Sequence, residues 1–588
     1  MAMPIWVVPR QQAVALAFGI FVGLCFVLPP DRSDAGQEGE FAVSPALKIA
    51  PTLDRATKNY SLAQPQSVRS IDGSGNNPDD PAMGAAYTPL LRRVPPDYAD
   101  LMSELAGPDR PGPREISNVV NAQPDLDYNT HGLSDFFWQW GQFLAHDIDL
   151  TGGVSPPEPA PIEVSSGDPF FDPDATGTVE ISFNRSIYDK KTGKNRKKPR
   201  EQLNEITTWI DASNVYGSDP ARAAALRTAD GTGRLRTSAG DLLPFNTEGL
   251  PNAGGEDPRL FLAGDVRANE QVGLTALHTL FVREHNRLAD LIAEAHPGAS
   301  GDEIYEQARR IVGVQMQAIT YNEFLPALLG WDALEPYRGY DPGVDARIAN
   351  VFATAAYRFG HSALNPVLLR LDAKGKEIDA GHLPLRDAFF APWRIMQEGG
   401  IDPLLRGLAH QVCQRIDLYL VDEVRNFLFG APGGGGFDLA SLNLQRGRDH
   451  GLPPYNDTRE ALDLARAGSF SDVSSDPEIQ ARLALYLDPD TIDLWIGGLA
   501  EDPWQDAQVG ELFFTILKEQ FEALRDGDRF WYELTLGEAE LLEVEQTRLS
   551  DIIRRNTDIN DEIPDDVFHV GFSRGESGNG GHRGLHHH

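Results

Sequence analysis

Between Leu133 and Phe568, apolar residues recur three and four positions apart over long stretches of the chain. LSDFFWQWGQFLAHDIDL (133–150), LTALHTLFVREHNRLADLIAEA (274–295) and GELFFTILKEQFEALRD (510–526) are the clearest examples. Residues at that spacing share one face of a helix, so each stretch reads as a helix with one side turned to a core. Strand-type alternation is scarce, and the fold predicted is mostly α, a single large helical domain with few short strands. The pattern is weaker before residue 67. The RSIDGSGNNPDDPAMGAA stretch beginning at Arg69 is crowded with Gly, Asn, Asp and Pro and reads as loop. No repeat and no Pro-rich or charge-blocked break divides the chain between Leu133 and Phe568. The organisation expected is an N-terminal targeting segment at 1–35, a polar linker at 36–66, one catalytic domain at 67–570 and a disordered tail at 571–588.

Charge narrows the range of partners. Fifty-two Lys and Arg stand against 87 Asp and Glu, a formal charge of -35, which repels nucleic acid and anionic lipid alike. The basic run KKTGKNRKKPR at 190–200 is therefore read as a solvated loop. Gly433 to Gly436 lack the Lys and Ser/Thr that follow in a phosphate-binding loop, and read as a flexible turn. Only two cysteines are present, Cys25 and Cys413. Arg10, the apolar run Ala13–Leu28 and the polar chain after Pro29 have the layout of a signal peptide. An uncleaved membrane anchor, with the catalytic domain outside the cytoplasm, is the alternative. A cleaved signal takes Cys25 with it, leaving neither a disulfide framework nor a cysteine metal site.

Five blocks carry candidate chemistry. In QWGQFLAHDID (139–149), Gln142 and His146 lie one helical turn apart and project from one face. The neighbouring Asp147 and Asp149 need a partner or a cation in such apolar surroundings. In TTWIDASNVYG, beginning at Thr207, Thr207, Trp209, Asp211 and Ser213 alternate, so hydroxyl, carbonyl and carboxylate oxygens could converge on a hard cation, with Asp147 joining them. In GDVRANEQ (264–271), Arg267 is suited to stabilising developing negative charge, with Glu270 close by. ATAAYRFGHSALNP (353–366) sets His361 on an apolar helix one turn after Arg358. Haem iron is commonly held by one such His, though His278, His285 and His410 are equally placed by sequence. SLNLQRGRDHGLPPYN, beginning at Ser441, offers Asn443 as an acceptor and Arg446 as a carboxylate partner. Taken singly, the blocks have ordinary readings: a core histidine, an Asx turn, a surface ion pair.

In this order and register, from about Arg69 to about Phe568, the five blocks resemble the animal haem peroxidase family. The resemblance implies haem b and Ca²⁺ as cofactors. It implies reduction of H₂O₂, followed by oxidation of bromide, iodide, thiocyanate or phenols through a ferryl intermediate. His146 looks like the distal base, Gln142 the distal amide that positions water or a halide, and Arg267 the distal arginine that assists O–O cleavage. His361 resembles the iron ligand and Asn443 the acceptor of its Nδ1–H, with Arg358 and Arg446 steadying that side and the haem propionates. Asp147, Thr207, the Trp209 carbonyl, Asp211 and Ser213 match the calcium site.

The departures from the family pattern are specific. Ala145 replaces the Asp that forms one haem ester, while Glu270 keeps the other ester position. Gln271 replaces the Met that forms a sulfonium link. With fewer covalent links the haem is expected to be less oxidising, and chloride a poor donor. The scarcity of cysteine contrasts with the disulfide-rich animal members and suggests a source outside the animals. A fatty-acid dioxygenase of the same fold is the nearest rival. It needs a tyrosine three residues before the proximal His, where this chain has Arg358. Tyr357 lies one residue away, turned by about 100° on an α-helix. A secreted adhesion protein with a decayed haem site is a second rival, although every polar residue needed for peroxide cleavage is present. A non-haem metalloenzyme is a third, unsupported by HExxH or facial-triad spacing.

Overall fold

The computed structural model describes Leu62 and residues 68–571. The N-terminal apolar run, nearly all of the linker and nearly all of the tail lie outside those residues. Seven helices frame the interior: α1 Asp135–Ile148, α2 Val272–Ala295, α3 Gly301–Ile319, α4 Asp402–His410, α5 Leu439–Asp449, α6 Glu511–Asp526 and α7 Leu549–Asn556. Among the described residues, strand is confined to three antiparallel two-residue ladders. They pair β1 Thr88–Pro89 with β4 Leu203–Asn204, β2 Ile162–Glu163 with β3 Glu180–Ile181, and β5 Val367–Leu368 with β6 Leu383–Pro384. The mostly helical expectation holds. The 190–200 run is irregular and mostly exposed, and 433–436 is a turn. Cys413 is a buried free thiol. Among the described residues no helix is long and apolar enough to cross a membrane.

α1 is the element on which the interior depends. The Ser134 side chain accepts from the Phe136 N–H and starts the helix, and Asp149 ends it by turning extended. Phe136, Phe137, Trp140, Phe143, Leu144 and Ile148 are buried in the main core, where α1 packs on α2 and α4. Burial of each such side chain contributes roughly 1.5–3 kcal/mol. α2 is capped by the Gln271 side chain, which accepts from Gly273 N at 2.6 Å. A methyl group at Gly273 would stand 2.6 Å from Gln139 Oε1, so α2 starts close against the Gln139 side chain of α1. α3 opens on a reciprocal capping box between Ser300 and Glu303 and ends in a π-helical turn at Thr320–Phe324.

Two local departures from regular helix matter for the site. Residues 356–361 form a 3₁₀ helix rather than the α-helix expected around His361. With three residues per turn, Arg358 and His361 eclipse each other on one face. The Thr207 segment bends, and Ser213 opens a single helical turn to Tyr216. It is entered through Ala212 at φ 64°, a left-handed conformation costing roughly 1–2 kcal/mol for a residue with a side chain.

Candidate active site

One face of α1, comprising Trp138, Gln142, Ala145, His146 and Asp149, lines a cavity of about 300 Å³. The same cavity is lined by Arg267, Glu270 and Gln271 from the loop before α2, by Tyr357, Arg358 and His361 from the 3₁₀ helix, and by Asn443, Arg446 and His450 on or beside α5. The five sequence blocks thus supply two groups. Four of them meet at this cavity. The Thr207 block packs behind α1.

The α1 wall is built from charge. His146 is buried, with Nδ1 3.5 Å from Asp265 Oδ1 and Nε2 3.8 Å from Glu270 Oε2. Burial, and then the Arg267 guanidinium, push its imidazole well below the usual 6.5, so it is neutral near pH 7. Arg267 is gripped by Asp265, with Nε to Oδ1 at 2.9 Å and NH2 to Oδ2 at 2.8 Å. It also donates to the Asp149 carbonyl at 2.9 Å. Burial works against the Asp265 carboxylate, but the Arg267 guanidinium holds it ionised far below the usual range. Glu270 accepts from Gln142 Nε2 at 3.1 Å, and burial raises its carboxyl to about 7. Burial likewise raises Asp149 to about 6. Gln271 donates to Gln139 and Gln142, which fixes the amide face of α1.

The His361 wall is built mainly from neutral contacts. Asn443 Nδ2 lies 2.7 Å from His361 Nδ1, while Asn443 Oδ1 accepts from Arg358 NH1 at 2.8 Å. The pairing of His361 with Asn443 is as expected, but the amide faces the other way, as donor rather than acceptor. A half-turn of the amide exchanges its two ends without changing its shape. Burial and Arg358 lower His361 to about 3. Arg358 is itself lowered to about 10, by burial and by the nearby Arg446. Arg446 donates to Ser186 Oγ at 2.7 Å and to Asp449 Oδ2 at 3.1 Å.

The three other histidines that sequence could not separate from His361 take no part in this cavity. His278 packs edge-on against Phe143. His285 is held between the Tyr216 hydroxyl and the Gly233 carbonyl. His410 Nδ1 lies against the Arg406 carbonyl. Tyr357 does line the cavity, stacked on Phe352 at 4.7 Å.

Behind α1, Asp147 Oδ2 and Oδ1 accept from Ala212 N and Asn214 N at 3.2 and 3.3 Å. Ser213 Oγ donates to the Asp147 carbonyl at 2.8 Å. Thr207 Oγ1 and Ser213 N both point to Asp211 Oδ1, at 3.2 and 3.0 Å. Asp211 Oδ2 is buried without a hydrogen-bond partner. Burial and the neighbouring Asp211 push the Asp147 carboxyl well above its usual range, and burial raises Asp211 too. Among the described residues, no group of three or more His, Cys, Asp or Glu side chains is gathered for a metal. This set brings two carboxylates and otherwise neutral oxygens. Gly264 ties it to the cavity: a methyl group there would stand 2.4 Å from the Ser213 carbonyl, so the Arg267 loop lies directly on the Ser213 turn.

Asp265 is the functional residue that sequence reasoning missed. Its signal was present, a carboxylate two positions before Arg267 in the same block, but nothing local says that the guanidinium folds back onto it. His450 was also unread, and the structure gives its ring to Ser186, Thr354 and Asn350.

Comparison with known proteins places the chain in a family. The family model described as "Animal haem peroxidase" matches residues 68–568. Thyroid peroxidase of Sus scrofa is 39% identical over 86% of this chain, which spans 60% of that protein's length. The solved structure of Peroxidase A from Dictyostelium discoideum superposes with a TM-score of 0.78 at 35% identity, covering 85% of this chain and 99% of that one. A fatty acid alpha-dioxygenase of Arabidopsis thaliana shares the fold alone, with a TM-score of 0.73 at 20% identity over 87% of this chain and 85% of its own. The chain belongs to the animal haem peroxidase family.

Proposed function

We propose that this protein is a haem peroxidase that reduces H₂O₂ and oxidises small anions (bromide, iodide or thiocyanate) or phenols. The observation that carries this reading is the meeting of Gln142, His146 and Arg267 with the His361–Asn443 pair in one cavity. The chemistry of the cavity suits haem b. Apolar side chains such as Leu364, Leu385, Phe389 and Leu442 contribute to its lining. Arg358 stays charged near pH 7, but burial and Arg446 make its charge costly to hold there, and an anionic propionate would stabilise it. His361 is the ligand proposed for iron through Nε2. Nδ1 then carries the proton, and Asn443 turns its oxygen to receive it, leaving Arg358 to a propionate.

Bound there, haem supplies the iron at which the O–O bond of the peroxide breaks. The protein's part is proton and charge management. Neutral His146 takes the proton from the incoming peroxide and returns it to the departing oxygen, which leaves as water. Arg267, already immobilised by Asp265, presents a fixed positive charge to the developing negative charge and needs no reorganisation to do so. Gln142 orients the peroxide, a water or a halide. The Asp147, Thr207, Trp209, Asp211 and Ser213 set is proposed to hold Ca²⁺. Asp211 Oδ2 is left without a partner there, and two like-charged carboxylates close together favour a cation. That ion would brace the helix carrying His146 against the loop carrying Arg267.

Glu270 is proposed to form one ester to the haem. Ala145 lines the cavity where a second would have to start, and Gln271 has no sulfur. Chloride is therefore expected to be a poor donor beside bromide and thiocyanate. The apolar run at 13–28 suggests that the reaction takes place outside the cytoplasm.

Absorbance spectra of the haem-loaded protein before and after one equivalent of H₂O₂ test the whole reading. A Soret band that shifts within milliseconds and returns when bromide or a phenol is added supports it. A band that merely bleaches removes the roles given to His146 and Arg267. Failure to bind haem removes the reading itself.

A further inference from the structure

A line of aromatic rings runs from the cavity wall towards the surface through a part of the protein that peroxide cleavage does not use. Tyr357, in the cavity lining, packs against Phe521 with ring centres 5.7 Å apart. Phe521 meets Tyr321 at 6.3 Å, and Tyr321 meets Trp531 edge-on at 4.7 Å. Trp531 in turn touches Tyr532 at 4.5 Å and Tyr337 at 5.9 Å. Trp531 and Tyr532 belong to a small apolar cluster separate from the main core, with the half-buried Tyr337 at its edge. Tyr321 sits in the π-helical turn that ends α3, a local distortion often found at functional sites.

Ordinary core packing explains these rings poorly. The hydroxyls of Tyr357 and Tyr337 are buried and have no hydrogen-bond partner among the described residues. Each such group costs about 1–3 kcal/mol, and phenylalanine would pack as well without that cost. What tyrosine and tryptophan share, and phenylalanine lacks, is a ring that gives up an electron readily. The proton connections differ along the line. The Tyr321 hydroxyl donates at 2.5 Å to the Phe521 carbonyl, which is a very weak base. The Trp531 indole N–H instead faces Glu533 Oε1 at 3.2 Å. A carboxylate there stabilises an electron-poor indole and takes its proton.

We propose that Tyr357, Tyr321, Trp531 and Tyr337 form an electron path through which the protein oxidises phenols or aromatic amines too large to enter the cavity. This rests on the peroxidase reading, since H₂O₂ is the oxidant. Each donor ArOH gives one electron to the half-buried Tyr337 ring, which passes it to the buried Trp531 beneath, and releases one proton. The electron passes to Tyr321, across the Phe521 ring to Tyr357, and into the cavity. Two such transfers balance one turnover: 2 ArOH + H₂O₂ → 2 ArO• + 2 H₂O. Between transfers the electron deficit rests on Trp531, whose proton moves to Glu533 and returns when the donor refills it.

Two readouts on the haem-loaded protein test this. With one equivalent of H₂O₂ and no donor, freeze-quenched electron paramagnetic resonance is expected to show an indolyl radical, and peptide mapping to find oxidation at Trp531 or Tyr337. Trp531→Phe is expected to abolish that signal and to lower kcat/KM for a phenol coupled to dextran by about tenfold or more, with bromide and free phenol turnover unchanged. Tyr321→Phe keeps the ring and removes only the hydroxyl. It carries the same comparison if Trp531→Phe fails to retain haem. Normal bromide turnover without oxidation at Trp531 or Tyr337, and with the dextran-phenol rate intact in both variants, overturns the path and leaves the peroxidase reading standing. A wild-type protein that turns over neither bromide nor free phenol overturns the peroxidase reading instead.

Discussion

The two walls of the cavity are organised on different principles. On the α1 wall the functional side chains lie beside charged neighbours. Asp265 grips Arg267 and faces His146, and Glu270 stands beyond His146 and Gln142. On the other wall His361 rests on one amide. Among the described residues the guanidinium behind that amide has no carboxylate on it, and its pKa is lowered to about 10 by burial and by Arg446. In the first wall the imidazole is neutral near pH 7 and the guanidinium is held by two hydrogen bonds to Asp265. In the second, one neutral amide joins His361 to Arg358. An anion beside Arg358 would stabilise its charge, and the Asn443 amide has a donor and an acceptor end of the same shape to offer His361. Preorganisation thus belongs to the wall assigned to proton and charge transfer, and adaptability to the wall assigned to binding.

That contrast predicts opposite failures. His361→Ala should have the largest effect, a loss of haem affinity exceeding the roughly 10–100-fold cost of removing a mere supporting partner. Titration of the variant with haem, followed in the Soret region, measures it; wild-type affinity would put the ligand elsewhere. His146→Ala should do the reverse. Haem uptake stays at the wild-type level, while the rate of peroxide reduction falls by about 10²–10⁴. Stopped-flow mixing with H₂O₂ decides, and an unchanged rate would remove the base from His146.

Asp265→Asn attacks the preorganisation itself. It leaves Arg267 and His146 in place but removes the charge that holds one and raises the pKa of the other. The imidazole should become a still weaker base, and the guanidinium loses its fixed direction. A rate loss of about 10²-fold is expected, the scale seen when one oriented charge-stabilising donor is lost. Folding stability should drop by about 3–5 kcal/mol, because a buried guanidinium is left partly uncompensated. Urea unfolding of the same variant reads the second effect. A variant with full stability and full rate would show that Asp265 only fills space.

The sequence makes the first wall far more legible than the second, and the reason is physical. Gln142 and His146 share a helix, so a spacing of four was enough to place them on one face. Arg267 and Glu270 share a short loop, so the sequence keeps them together, although alone they read equally well as a surface ion pair. His361 could not be told from His278, His285 or His410, because what separates them is which side of a tertiary cavity each faces. The 3₁₀ winding around His361 was also missed, since the run of Ala, Tyr and Phe there suits either helix. Asp265 escaped although it lies beside Arg267, because its role depends on a side chain folding back. The orientation of the Asn443 amide is beyond sequence altogether.

Glu270→Gln should produce the smallest effect and sharpens the contrast between the walls most, because it separates charge from covalent attachment. In the haem-free protein the carboxyl is raised from 4.5 to about 7 by burial. A folded-state pKa above the unfolded one means that the folded form holds the proton more tightly. Its contribution to stability is therefore complete below about pH 4.5 and is lost as pH rises through about 7. Glutamine has nothing to titrate and can still accept the Gln142 amide. Between pH 5 and 7 the wild type should lose stability relative to the variant by up to about 1.4 kcal/mol per pH unit, one proton's worth, reduced by whatever solvent reaches the carboxyl. Urea midpoints for both haem-free proteins at pH 5 and pH 7 test this, and parallel pH curves would mean that Glu270 is already solvated. In the haem-loaded pair the same substitution should make the haem extractable by acidified acetone where the wild type retains it. If the wild type releases its haem equally well, Glu270 belongs to the charged wall alone, and the haem is held without a covalent link through this side chain.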